Sequence, residues 1–303
     1  MRSACGSALA VAGICGVYAN LSQVALIRFL LGTFSGTEIH LGVFLGLWLL
    51  GIALGGSTGL LLQPSPTRLI LALLLHPWLL LAGMPLLLTA LPIVQGGLFS
   101  LGSLVGVSAI VLFPPAFLLG WFIPALVIRG RTTLGPLYAC EALGSFAAGV
   151  LISWFLGGRL SAPLSLLVLP LLPLTALGLL SSRTRTVWGL LLLAPLPMCL
   201  AAPSVVDRFE HQIWKLFHSG QSLQQTLETP YQSVAIGTYE GQHSLFSDGA
   251  LAAAWPDPIR AEEKAHLFLS GIATPQQVLV IGCPAPDLVN EFRKYPLRLD
   301  IVD

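Results

Sequence analysis

Long apolar stretches of about 20 residues, each closed by a short polar or arginine-bearing break, constrain this chain more than anything else in it. A helix needs roughly 20 apolar residues to cross the hydrocarbon of a bilayer. Seven such segments run through the first two-thirds of the sequence, at about 7–31, 40–62, 69–93, 101–128, 134–156, 161–181 and 186–204. Charge follows the same division. Residues 1–204 hold eight arginines, no lysine and two acids, Glu38 and Glu141, whereas residues 205–303 hold seven Lys or Arg and twelve Asp or Glu. Only 10% of the 303 residues are charged, against about a quarter in soluble domains. A soluble globular enzyme over the whole length is excluded. The expectation is a polytopic helical membrane domain over residues 1–204, an amphipathic interfacial helix and linker over 205–225, and a small α+β region beyond.

The first segment is too long and too polar, at Tyr18, Asn20 and Gln23, to be a cleaved signal peptide. Prolines 77, 85, 114, 115, 170, 173, 195 and 197 lie inside the apolar segments. Membrane helices tolerate them because neighbours re-satisfy the freed carbonyls. Small residues recur at close-packing spacing: Gly42, Gly46, Gly51, Gly55, Gly56 and Gly59 in the second segment, and Gly144, Ala148 and Gly149 in the fifth. Such stripes let helix backbones approach closely.

An ionisable group within the bilayer is costly and marks a functional candidate. Glu141, two turns into the fifth segment and near Tyr138, is that candidate, either protonated or paired with an arginine. Glu38 and His40 begin a helix and are expected at the interface. His76, beside Pro77, can bond a backbone carbonyl. The five cysteines and six histidines are scattered, so neither a disulfide framework nor a metal site is expected. Arg2, Arg68, Arg129, Arg131, Arg183 and Arg185 share one face, which the positive-inside rule places in the cytoplasm. Seven crossings then put the C-terminal region outside; a count off by one reverses this.

Beyond residue 204 the period changes. Val205, Val206, Phe209, Ile213, Leu216 and Phe217 form one helical stripe, read as a helix on the membrane surface or under the next domain. Residues 233–239 and 242–247 read as strands joined by a Glu240-Gly241 hairpin turn, with a second turn at Asp248-Gly249. A helix is expected at about 259–270, with Glu262 and His266 on one face. A strand at 278–281, a turn at Gly282, a helix at about 285–294 and a strand at 299–302 ending in Asp303 follow. That order matches the first half of a nucleoside-binding α/β unit, in which an acid about 20 residues after the turn bonds the ribose. The turn itself, Gly282 to Asp287, has one glycine, and Pro284 and Pro286 lack N–H donors.

The ordered set TPYQSVAIGTYEGQHSLFSDG, PDPIRAEEKAHLFL, PQQVLVIG and LDIVD resembles the spermidine synthase (polyamine aminopropyltransferase) family. VFLGLWLLGIALGG and GPLYACEALGSFAAG are similar to membrane helices of its bacterial branch with an N-terminal transmembrane domain. The resemblance implies a transferase of the bacterial inner membrane in polyamine synthesis. Its cofactor would be decarboxylated S-adenosylmethionine or S-adenosylmethionine, with Gln232, Gly282 and Asp303 on the cofactor side. Tyr231, Asp248, Glu262 and His266 would lie on the amine side, and no catalytic residue or metal is implied. The chain departs from the family at Cys283, Pro284, Ala285 and Pro286, at Ala252 after the Asp-Gly turn, and at Arg260, a cation near the expected amine pocket. The expectation is therefore a truncated, incomplete or inactive transferase domain. The alternative is a transport or sensing protein whose tail is a regulatory or interaction module. Lipid, a small amine or nucleoside, and a second copy or partner chain at an unfinished sheet edge are the expected partners; nucleic acid is not, since the soluble part is acidic.

Overall fold

The computed structural model describes residues 2–34, 36–63, 65–91, 100–128, 133–156, 161–180, 193, 195–218, 220–229, 231–282 and 285–302. The helices are α1 (Arg2–Thr33), α2 (Glu38–Leu62), α3 (Pro66–Thr89), α4 (Leu101–Ile128) and α5 (Leu134–Leu151), the last extended by a π turn, Ile152–Leu156. After them come α6 (Ala162–Val168), α7 (Leu171–Leu180) and α8 (Pro195–Phe217). Six helical stretches among the described residues are long and apolar enough to cross a membrane, the sixth formed by α6 and α7 together. The first part of the seventh expected segment, residues 186–192 and 194, lies outside the described residues. From Pro195 on the segment is the start of α8, which runs unbroken through Pro203 into the amphipathic stripe.

Two helix pairs pack backbone to backbone. On α1, a side chain at Gly16 would strike the Glu141 backbone of α5, and one at Gly144 would strike Gly13. Across this contact the Ser145 hydroxyl donates to the Gly16 carbonyl at 3.1 Å, and the Asn20 amide to the Ser145 carbonyl at 3.1 Å. The second pair is α2 with α4, where Gly51, Gly55 and Gly59 meet Ala116, Phe117, Gly120 and Trp121. Here the sequence reading needs a correction. Gly42 and Gly46 face open space, because the four-residue spacing that keeps Gly51, Gly55 and Gly59 on one face breaks between Gly46 and Gly51.

Of the two prolines inside α3, Pro77 behaves as expected. Pro77 has no N–H for the Leu73 carbonyl one turn earlier, and the buried Tyr18 hydroxyl of α1 supplies one at 3.1 Å. His76, next to it, is buried. At the start of α2, the His40 Nδ1 accepts the Thr37 N–H at 3.1 Å, which makes His40 a capping group.

The region after α8 has two parts. The first is an antiparallel meander of β1 (Ser222–Glu228), β2 (Ser233–Tyr239), β3 (Gln242–Ser247) and β4 (Ala250–Trp255), in that spatial order. The expected hairpin is its centre, and β1 begins inside the expected linker. The second part is α9 (Pro258–Ser270), β5 (Gln277–Ile281), α10 (Pro286–Phe292) and β6 (Arg298–Val302), with β5 and β6 paired in parallel. Ala265, Leu269 and Phe292 form its core, with Val278, Val280 and Leu299 against them.

Helix α8 joins bundle and meander. Phe209 lies 5.7 Å from Phe29 of α1, ring centre to ring centre. On its other side Trp214 packs on Gly237 and edge-on against Phe246 at 5.2 Å, and its indole N–H donates to the Gln221 carbonyl at 3.0 Å. Helix α8 thus lies between α1 and the meander.

Candidate functional site

The carboxyl ends of parallel strands are where an α/β unit places its ligand, so the site is built outward from Ile281 and Val302. Gly282 follows β5 with φ +95°, a left-handed conformation that suits glycine. Its N–H donates to the Val302 carbonyl at 2.8 Å, so that donor is spent on the strand pair. Among the described residues, no atom lies within 4 Å of where a side chain would project from Gly282. A ligand can therefore lie close against the backbone there. Cys283, Pro284 and Asp303 lie outside the described residues.

Two acids meet beside this turn. Asp257 caps α9, its carboxylate accepting the Arg260 N–H at 3.1 Å. Its own backbone N–H donates to the Asp287 carboxylate at 2.5 Å, in the first turn of α10. This link holds the start of α9 over the strand ends. Arg260, which the sequence sets near an amine pocket, lies 3.7 Å from the Asp257 carboxylate and is otherwise exposed, so an acid offsets its charge.

Glu262 and His266 pair at 3.7 Å on the outer face of α9, and the Tyr295 hydroxyl lies 3.2 Å from the His266 ring. Tyr295 follows α10 and precedes β6. Helix α9 thus runs from the strand ends at Asp257 toward the opposite end of the unit at His266, about 13 Å along its axis. The structure does not bring His266 to the Gly282 turn, because a helix antiparallel to the strands carries its later residues away from their carboxyl ends.

The remaining candidates cluster at one end of the meander. Asp248 (φ +46°) and Gly249 (φ +78°) form the β3–β4 turn. The Asp248 carboxylate accepts the Ser233 N–H at 2.9 Å. Gln232 accepts the Ser247 hydroxyl through its side-chain oxygen at 2.6 Å. Tyr231 is 95% exposed, so it is no core tyrosine. Ala252 is the unpaired residue of a bulge between β3 and β4. Among the described residues, no hydrogen bond or ion pair joins this group to the Gly282 turn.

In the bundle, Tyr138 and Glu141 lie on the same face of α5; Tyr138 is 52% exposed and Glu141 is half-buried. No ion-pair partner of Glu141 occurs among the described residues.

Sequence reasoning missed the contact between bundle and meander. The Arg28 guanidinium, near the end of α1, lies 2.9 Å from the Glu228 carboxylate at the end of β1 and 2.6 Å from the Thr229 carbonyl. Close by, the Thr226 hydroxyl donates to Glu210 of α8. Burial foremost, and then the neighbouring Glu228 and Asp207 charges, push the Glu210 carboxyl above its ordinary range despite that bond. The only sequence signal was an arginine inside an apolar segment, which calls for a partner.

Comparison with known proteins adds one relative. Polyamine aminopropyltransferase 2 of Aquifex aeolicus (strain VF5) is 24% identical over 306 aligned positions, which cover 96% of this chain and 59% of the relative. The similarity thus runs through bundle, meander and parallel pair alike, and the chain spans about three-fifths of the relative's length. No family model and no solved structure matches the chain.

Proposed function

We propose that this chain carries the membrane domain and the cofactor-side part of an aminopropyltransferase of the spermidine synthase type. The observation that carries the reading is the parallel β5–α10–β6 unit with a left-handed Gly282 at the end of β5. The similarity to an aminopropyltransferase along nearly the whole chain agrees with it. An adenosyl group fits this turn because it requires open space against the strand ends rather than a row of N–H donors. A decarboxylated S-adenosylmethionine has no phosphates, so the loss of donors at Pro284 and Pro286 does not bar it. The resemblance assigns the ribose to Asp303, which follows Gly282 by 21 positions in the sequence. Gln232 is assigned to the cofactor side, and Tyr231 and Asp248 to the amine side.

In the reaction an amine nitrogen attacks the carbon next to the sulfonium. A carbon–nitrogen bond forms, the carbon–sulfur bond breaks, the thioether nucleoside leaves, and the amine gives up a proton. No residue of this chain is assigned the role of accepting that proton.

The test is equilibrium binding of decarboxylated S-adenosylmethionine to the full chain in lipid nanodiscs. The reading expects saturable binding that Gly282→Val abolishes, since a branched side chain both strains the positive φ and fills the open space. Absence of saturable binding by the unmodified chain overturns it.

A further inference from the structure

We infer that Arg28 is a positioning residue through which membrane helix α1 holds the turn that presents Tyr231 and Gln232. This inference rests on the reading of that turn as part of the ligand site. The turn has no strand partner of its own between Glu228 and Ser233, and Thr229 organises it. The Thr229 hydroxyl receives the N–H groups of Tyr231 at 3.3 Å and Gln232 at 2.9 Å, and it donates to the Gln232 carbonyl at 2.7 Å. The Thr229 N–H donates to that same carbonyl at 2.9 Å. Thr229 thus binds the backbone of both Tyr231 and Gln232, and the Thr229 carbonyl is one of the two oxygens that Arg28 grips.

The grip is built to be rigid. Arg28 and Glu228 keep only 25% and 20% of their side-chain surface exposed, so water screens the pair weakly. Charge-assisted hydrogen bonds to both a carboxylate and a carbonyl fix the position of the turn, not only its charge. The anchor point lies on a transmembrane helix whose own packing is locked by the Gly13, Gly16 and Gly144 contacts. Motion of the region after α8 relative to the bundle is thus stopped at the residue next to the candidate ligand contacts. Both contacts come from one guanidinium nitrogen, Nη2. A lysine ammonium can reproduce a single-nitrogen contact, although it cannot reproduce a two-nitrogen fork.

The experiment uses the full chain in nanodiscs and two independent readouts. Hydrogen exchange over residues 226–233 reports the turn. Affinity for decarboxylated S-adenosylmethionine reports the site. Arg28→Ala is expected to raise exchange in that segment while residues 234–247 stay protected, and to weaken binding by about tenfold. Arg28→Lys is expected to restore both readouts to within about threefold. Should Arg28→Ala fail to fold, Glu228→Gln, which keeps the size and removes the charge, replaces it. Unchanged exchange overturns the tether. Raised exchange with unchanged affinity overturns the positioning role and leaves the transferase reading standing. If the unmodified chain binds no nucleoside, the transferase reading and the positioning role fall together, and the exchange data still show whether the tether exists.

Discussion

The Tyr18 hydroxyl of α1 lies 3.1 Å from the Leu73 carbonyl of α3, the group that Pro77 deprives of its helical partner. A proline inside a membrane helix leaves a carbonyl facing hydrocarbon, and a neighbouring helix here meets the need. Tyr18→Phe is expected to destabilise the bundle by about 1 kcal/mol. In a Pro77→Ala background the Leu73 carbonyl regains its N–H, and the same change should cost almost nothing. A double-mutant cycle of unfolding in mixed micelles measures the coupling, and additive effects would contradict the assignment.

The α1–α5 contact leaves no room for a β-carbon. At Gly144 the neighbour is the Gly13 backbone and at Gly16 it is the Glu141 backbone, so no flexible side chain can give way. Gly144→Val should separate the helices, break the Ser145–Gly16 hydrogen bond and lower stability by about 3 kcal/mol or more. Gly42→Val, facing open space on α2, should cost less than about 1 kcal/mol. Thermal unfolding of both variants in one detergent provides the comparison.

His218 is held in an aromatic cage, 3.9 Å from the Trp214 ring and 4.4 Å from the Phe246 ring. Burial, only partly offset by the Trp214 backbone, holds its imidazole below the ordinary value of 6.5. The unfolded chain therefore binds this proton more readily than the folded one. The folded state keeps its full advantage above about pH 6.5 and loses it as the pH falls toward the depressed folded value. Stability followed by far-UV circular dichroism should fall between pH 7 and pH 5, and His218→Gln should flatten that fall. An equal fall in both proteins would assign the effect elsewhere.

Arg28 and Glu228 also bear on topology. Their contact ties the meander to the end of α1 away from residue 2, which needs one crossing more than the six described helical stretches supply. The arginine pattern puts residue 2 in the cytoplasm, which sends the meander out. The transferase reading needs it in the cytoplasm, where the adenosyl cofactor is made, and so predicts an N-terminus outside. Paired reporters at residues 2 and 303 should therefore lie on opposite sides, with the one at 303 cytoplasmic. An outward residue 303 would contradict the transferase reading, and both ends on one side would contradict the Arg28–Glu228 contact.

Much of this architecture was legible in the sequence. Twenty-residue apolar runs leave few alternatives, and the β2–β3 hairpin and the β5–α10–β6 order showed through strand periodicity and turn residues. Strands β1 and β4 did not. SLQQTLE breaks its one apolar face with Gln225 between Leu223 and Leu227, and ALAAAW is rich in alanine, a helix former with little strand preference. Glu262 and His266 shared a face as spacing demanded, but spacing along one helix says nothing about which end of the neighbouring strands that face meets. Arg28 and Glu228 stand 200 residues apart, and no local pattern links residues so distant. The Asp257–Asp287 link was half visible, since an Asp before Pro at a helix start marks a cap, whereas its partner depends on how α9 crosses α10.

The central claim is that the turn after β5 takes an adenosyl cofactor, and a photoreactive adenosyl analogue tests it most directly. After irradiation with the full chain in nanodiscs, the label should map to residues 277–287 and be competed away by decarboxylated S-adenosylmethionine. Label confined to the bundle around Glu141, or label that the competitor does not displace, would contradict the account.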